Sequence, residues 1–157
     1  MSSQTELNNM SWVTVTPVVQ AAAYAAGDVV AVPIVITDLF GGFNPNVLLQ
    51  SLHILDKGDQ AAALDIIFFK SPVTLGTINA AVSISDVNAL EIIGVVEVVA
   101  DDYVDLIGSQ YAIPQFNPMV LSSGDHSVQN GYVAVVARGT PTYASTSDLV
   151  LQLGIIR

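Results

Sequence analysis

The densest group of chemically capable side chains in the 157-residue chain is Asp101-Asp102-x-x-Asp105. Calcium needs several oxygens converging on one point, and clustered aspartates can supply them. The spacing departs from the EF-hand loop, which requires Gly at its sixth position and Glu at its twelfth. Aspartate also populates turns freely. Asp101, Asp102 and Asp105 therefore read as a solvated turn between two strands, with calcium binding as the competing chemistry. A second polar group, Ser122-Ser-Gly-Asp-His-Ser127, contains the three residue types of a hydrolytic triad. A triad converges from separate elements so that base and nucleophile meet at hydrogen-bond distance. Neighbours in one tight loop point apart, and the chain has no Gly-x-Ser-x-Gly elbow, so the group reads as a polar loop. The other histidine, His53, stands in Ser-Leu-His-Ile-Leu with no second histidine near it, and reads as a packed strand residue.

Paired carboxylates for glycoside hydrolysis could be drawn from Asp65, Glu91 and Glu97. Sugar-binding sandwiches, however, stack their ligands on several aromatics. Here aromatics are 7% of the chain, with one Trp, at position 12, and Phe68-Phe69 falls in the most apolar segment. Leu39-Phe-Gly-Gly-Phe43 lacks the Gly-Lys-Ser/Thr of a phosphate loop. The sequence thus assigns no catalytic, cofactor-binding or metal residue, and the expectation is a protein that is not an enzyme.

Charge narrows the partners. Fourteen acidic residues face four basic ones, for a net charge of −10. The cations Lys57, Lys70, Arg138 and Arg157 are scattered, which argues against phosphate backbones and anionic membrane surfaces as partners. The absence of Cys excludes disulfides and thiolate chemistry. The first cation is Lys57, so no basic region of a secretory signal precedes it, and assembly without export is expected. Apolar runs such as Val29 to Ile36 are far too short to span a membrane as a helix. Apolar residues make up 52% but charged ones only 11%, against roughly 25% charged in ordinary domains. A chain of this mass exposes roughly 7,500 Å², or about 420 Å² per charge. Either Ser, Thr, Asn and Gln solvate such a surface or another protein chain covers part of it, and the second is expected.

The elements that must position these residues are strands. Val, Ile and Thr together number 45, whereas Glu, Lys and Arg number 7, and strands prefer the first group. Turn residues recur at the short intervals of an all-β sandwich or barrel. Expected strands are Ser11 to Gln20, Asp28 to Thr37, Val47 to Asp56, Ala63 to Lys70, Ile92 to Ala100, Tyr103 to Ile107, Ala112 to Leu121, Gly131 to Arg138 and Asp148 to Ile156. Pro17 and Pro33 mark edges or bulges. Ala63 to Lys70, almost wholly apolar, is expected at a sheet centre. Ser85-Asp86 can cap one short helix, near Asp86 to Ile93. The fold class is therefore all-β, a sandwich of jelly-roll or immunoglobulin-like type with about nine strands and at most one short helix. The expected core includes Val15, Val30, Ile54, Ile66, Phe68, Val96, Val133, Val135, Leu151 and Leu153. Residues 1–12 form a polar N-terminal arm ending in Trp12, and residues 13–157 a single domain.

Val13 to Val30, Ala63 to Phe69 and Val136 to Gly154 together resemble small, cysteine-free structural proteins of tailed bacteriophages. The likeness runs from Ser11 to Ile156. It implies a virion component, a capsid decoration (cement) protein that bridges neighbouring subunits of the major capsid protein, with the N-terminal arm as contact element. It also implies a homo-oligomer, a trimer by the habit of such proteins, and carries over no catalytic residue. The alternative from another class is a carbohydrate-binding module for host attachment.

Overall fold

The computed structural model describes residues 10–41 and 44–157. These form ten strands and one short helix: β1 (Met10–Val15), β2 (Val29–Ile36), β3 (Asn46–Asp56), β4 (Leu64–Phe69), α1 (Asp86–Ala89), β5 (Ile92–Val98), β6 (Tyr103–Asp105), β7 (Gln110–Ala112), β8 (Met119–Ser122), β9 (Gly131–Ala137) and β10 (Leu149–Ile156). A 3-10 turn, Ala100–Asp102, precedes β6. The strands make two antiparallel sheets. One runs β1-β10-β3-β7-β6, with β8 also on β3, and the other runs β2-β9-β4-β5.

The pairing is nested. β1 pairs β10, β2 pairs β9, β3 pairs β8, and β4 pairs β5. The long double ribbon this makes is rolled up by two further ladders, β3 on β10 and β4 on β9. That is the double-sheet jelly roll, which decides between the two sandwich types the sequence allows. β6 and β7 form a small hairpin inserted between β5 and β8.

Each sheet buries one side chain in two, so alternation sets the core. Leu149, Leu151, Leu153 and Ile155 of β10 are completely buried, and all ten expected core residues lie in the main cluster. β4 is buried on both faces because a second cluster covers the outside of its sheet. There Val29, Phe69, Leu75, Ala134 and Val136 pack with Val73 and Ile84 of the segment that follows β4. Ser85 caps α1 as its residue type requires, its Oγ accepting from the Asn88 N–H at 3.2 Å.

Several expected boundaries change. β1 stops at Val15, before Pro17, and begins at Met10. Met10, Ser11 and Trp12 pair with Ile156, Ile155 and Gly154, so they belong to the sheet. The rest of the expected arm, residues 1–9, lies outside the described residues. The strand expected over Ala112 to Leu121 is split. β7 takes the Asp56 end of β3 and β8 the Asn46 end, with residues 113–118 looping out between them. Pro114 and Pro118 lie in that loop, and proline has no N–H to give a ladder. β6 ends at Asp105, two residues short of the expected Ile107. No helix among the described residues is long and apolar enough to cross a membrane.

Candidate functional site

Two of the three aspartates singled out in the sequence are held by their own turns. Asp102 accepts the Val99 N–H at 2.9 Å, and Asp105 accepts the Ile107 N–H at 2.8 Å. Among the described residues no three His, Asp or Glu side chains are grouped to hold a metal ion. The Ser122 to Ser127 group is a self-bonded loop. Ser123 Oγ donates to the Asp125 carbonyl at 2.9 Å, and Ser127 donates to Asp125 Oδ1 through both its N–H and its hydroxyl, each at 2.8 Å. Those two bonds, with His126 beside them, hold the Asp125 carboxyl below the ordinary range. Of the three carboxylates considered for glycoside chemistry, Asp65 and Glu91 are tied to different cations. Asp65 is ion-paired with Arg138, while Glu91 accepts from Ser71 Oγ at 2.6 Å and lies 3.8 Å from Lys70. Glu97 stands opposite Asp65 in the β4–β5 ladder.

Three other arrangements matter more. The first is aromatic. His53 of β3 sits between Trp12 of β1 and Tyr111 of β7, with ring centroids 4.8 Å and 5.7 Å away. Its Nδ1 is 2.8 Å from the Tyr111 hydroxyl, and burial pushes its pKa down. Trp12 reaches this place because its ladder partner on β10 is Gly154. A Cβ there would come within 3.2 Å of the indole and would clash with Ser51 Oγ.

The second is a shallow cleft of about 430 Å³ between β5 and the 113–118 loop, lined by Val95, Glu97, Val99, Asp102, Gln115 and Phe116. Its mix of an aromatic floor, two carboxylates and an amide suits a small polar ligand.

The third is the end of the sandwich where β3 passes to β4. Here Asp56, completely buried, accepts N–H bonds from Gly58, Gln60 and Ala61 at 2.9 to 3.0 Å. Burial raises its pKa, and the three N–H groups and nearby Asp148 modulate that rise. Asp148 ties the facing loop through the N–H groups of Ala144 and Ser145. Tyr103 and Tyr143 pack over the pair, and burial raises both phenols. These groups tie the loops at this end of the sandwich together, and the β6–β7 hairpin extends past Asp56.

The hairpin tip carries the feature that sequence reading missed. Ile107 has φ +60° and Gly108 φ +97°, while the Leu106 N–H donates to the Ser109 carbonyl at 2.9 Å. Positive φ at both central residues is the habit of mirror-image hairpin turns, which prefer Asn-Gly. Isoleucine has no such ease, since its Cβ clashes in the left-handed region. The side chain is 95% exposed, so packing within the chain returns nothing. The only signal in the sequence was Gly108.

The chain matches no known family model, and no curated protein matches it.

Proposed function

We propose that this chain is a structural component of a tailed-phage particle that decorates the outside of the capsid and bridges neighbouring subunits of the major capsid protein. The observation that carries the reading is that the three most exposed large apolar side chains among the described residues, Ile107, Leu90 and Val87, stand at opposite ends of the sandwich. Ile107 and Leu106 cap the hairpin beyond Asp56, at the end where β3 crosses to β4. Val87 and Leu90, 73% and 76% exposed, sit on and just after α1, which joins the paired ends Phe69 and Ile92 at the other end. A bridge needs two separated contacts, and apolar groups held in solvent are the sort that a partner covers. A protein that binds only the assembled shell stabilises it by mass action, so modest contacts at each end suffice. The jelly roll itself serves capsid and lectin domains alike, and a fold alone does not decide function.

The experiment is occupancy and rescue. Antibody against the chain should label intact virions, and particles stripped of it should regain thermal stability when the purified chain is added. Ile107→Asp and Leu90→Asp should each lower occupancy while leaving the fold intact. Virions without the chain, or variants with unchanged occupancy, would overturn the reading. A second reading, a carbohydrate-binding module for host attachment, has one observation in its favour: the cleft with Phe116 beside Glu97 and Asp102. Glycan-array binding abolished by Phe116→Ala would establish it.

A further inference from the structure

We propose that the outward face of the six-stranded sheet packs against the same face of a second copy of the chain. This does not rest on the capsid reading. The face is unusual for what it lacks. β1, β3, β7, β8 and β10 together contain one charged residue, Asp56, and it is completely buried, while β6 at the sheet's edge ends in Asp105. What the face offers is uncharged: Met10, Trp12 and Val120 are exposed beside Thr14 and Gln50, and Leu48, Leu55 and Tyr111 are partly exposed beside His53 and Gln152.

Charge identifies the occupant. The chain carries −10, and all of it lies off these five strands except for buried Asp56. A second copy brings the same −10, and like charges set against one another at an interface oppose binding strongly. Two copies therefore meet with least repulsion through this face. A partner chosen by its basic charge would find nothing here to pair with. Size agrees. Four columns of strands about 4.8 Å apart, along a ladder of eight residues at about 3.4 Å each, span roughly 500 Å². Burying that on both copies removes about 1,000 Å², the threshold for a specific interface. A single self-complementary patch generates a twofold pair, whereas a closed trimer needs two different patches that fit each other.

The test is sedimentation of the full chain from micromolar to sub-millimolar concentration. A concentration-dependent dimer is expected, and it should tighten as salt is raised, because salt screens the repulsion between the acidic remainders. Trp12 fluorescence should shift to the blue on association. Thr14→Asp and Val120→Asp, both at exposed positions, place like charges across the twofold and should weaken the dimer about a hundredfold. Val87→Asp, on α1, should leave it unchanged. A wild-type monomer at every concentration overturns the proposal. So does a dimer that survives both face variants. A dimer that forms only after residues 1–9 are deleted also overturns it, because the occupant is then the chain's own N-terminal segment.

Discussion

Ile107 stands where the hairpin backbone calls for Asn or Gly, and its side chain packs against nothing in the chain. A left-handed conformation costs an ordinary L-residue about 1–2 kcal/mol. Asn tolerates it far better. Ile107→Asn should therefore raise stability by about 1 kcal/mol, measured by urea unfolding. The same substitution should lower capsid occupancy, so that stability and binding move in opposite directions. No merely structural residue behaves that way. His53 gives the second prediction at this scale. Burial lowers its pKa in the folded state, so the unfolded chain binds the proton more readily. Stability is then full above the ordinary histidine value, about 6.5, and is lost as pH falls through it. Emission from Trp12, the only Trp, 4.8 Å from the imidazole, should titrate with a midpoint below that value. His53→Gln should abolish the titration, and an unchanged midpoint in that variant would assign it to another group.

At the scale of elements, much was legible and the exceptions have causes. Alternation in Leu149, Leu151, Leu153 and Ile155 gave β10 its buried face, because period two is a direct consequence of the pleat. The run Leu64 to Phe69, apolar but for Asp65, announced a strand at a sheet centre, and β4 lies between β9 and β5. Propensity misled at Ile107, where a good strand former was counted into β6 although tertiary geometry had put it in the turn. Prolines at 114 and 118 were the available warning that one long strand would be two. Neither the nested pairing nor the gathering of His53, Trp12 and Tyr111 could be read, since register between distant strands leaves no local trace. Candidate chemistry in the sequence was local polar density, read there as a turn and a loop, and the structure shows how those segments are held. Asp102, Asp105 and Asp125 are occupied by N–H groups two or three residues away. Gly154 tests how β10 carries the aromatic group. Gly154→Ala drives a methyl into Ser51 Oγ and the indole. It should destabilise by about 1–3 kcal/mol, as overpacking does, and red-shift Trp12 emission as the ring is pushed outward. Unchanged emission would show that the sheet, not the ring, gives way.

For the whole molecule the deciding quantity is the imbalance of fourteen acids over four bases. Among the described residues there are two ion pairs, Lys70–Glu91 and Arg138–Asp65, and in the latter the guanidinium is mostly exposed. Exposed pairs contribute about 0–1 kcal/mol each, so salt has little attraction to screen. Repulsion among the remaining carboxylates is spread over the surface, and salt weakens it as the Debye length falls from about 30 Å at 0.01 M to about 8 Å at 0.15 M. The melting temperature should therefore rise with sodium chloride across that range, by a few degrees for a domain of this size at about 2–4 °C per kcal/mol. The effect should be the same with choline as the cation, because screening depends on ionic strength and not on the ion. Calcium chloride at matched ionic strength discriminates further. Diffuse screening gives it only a modest advantage over sodium, whereas a calcium site at Asp101, Asp102 and Asp105 would raise the melting temperature at concentrations too low to alter ionic strength. The second outcome would mean that the turn opens and its carboxylates exchange backbone N–H partners for the ion, and Asp105→Asn would then remove the calcium response while leaving the sodium response intact.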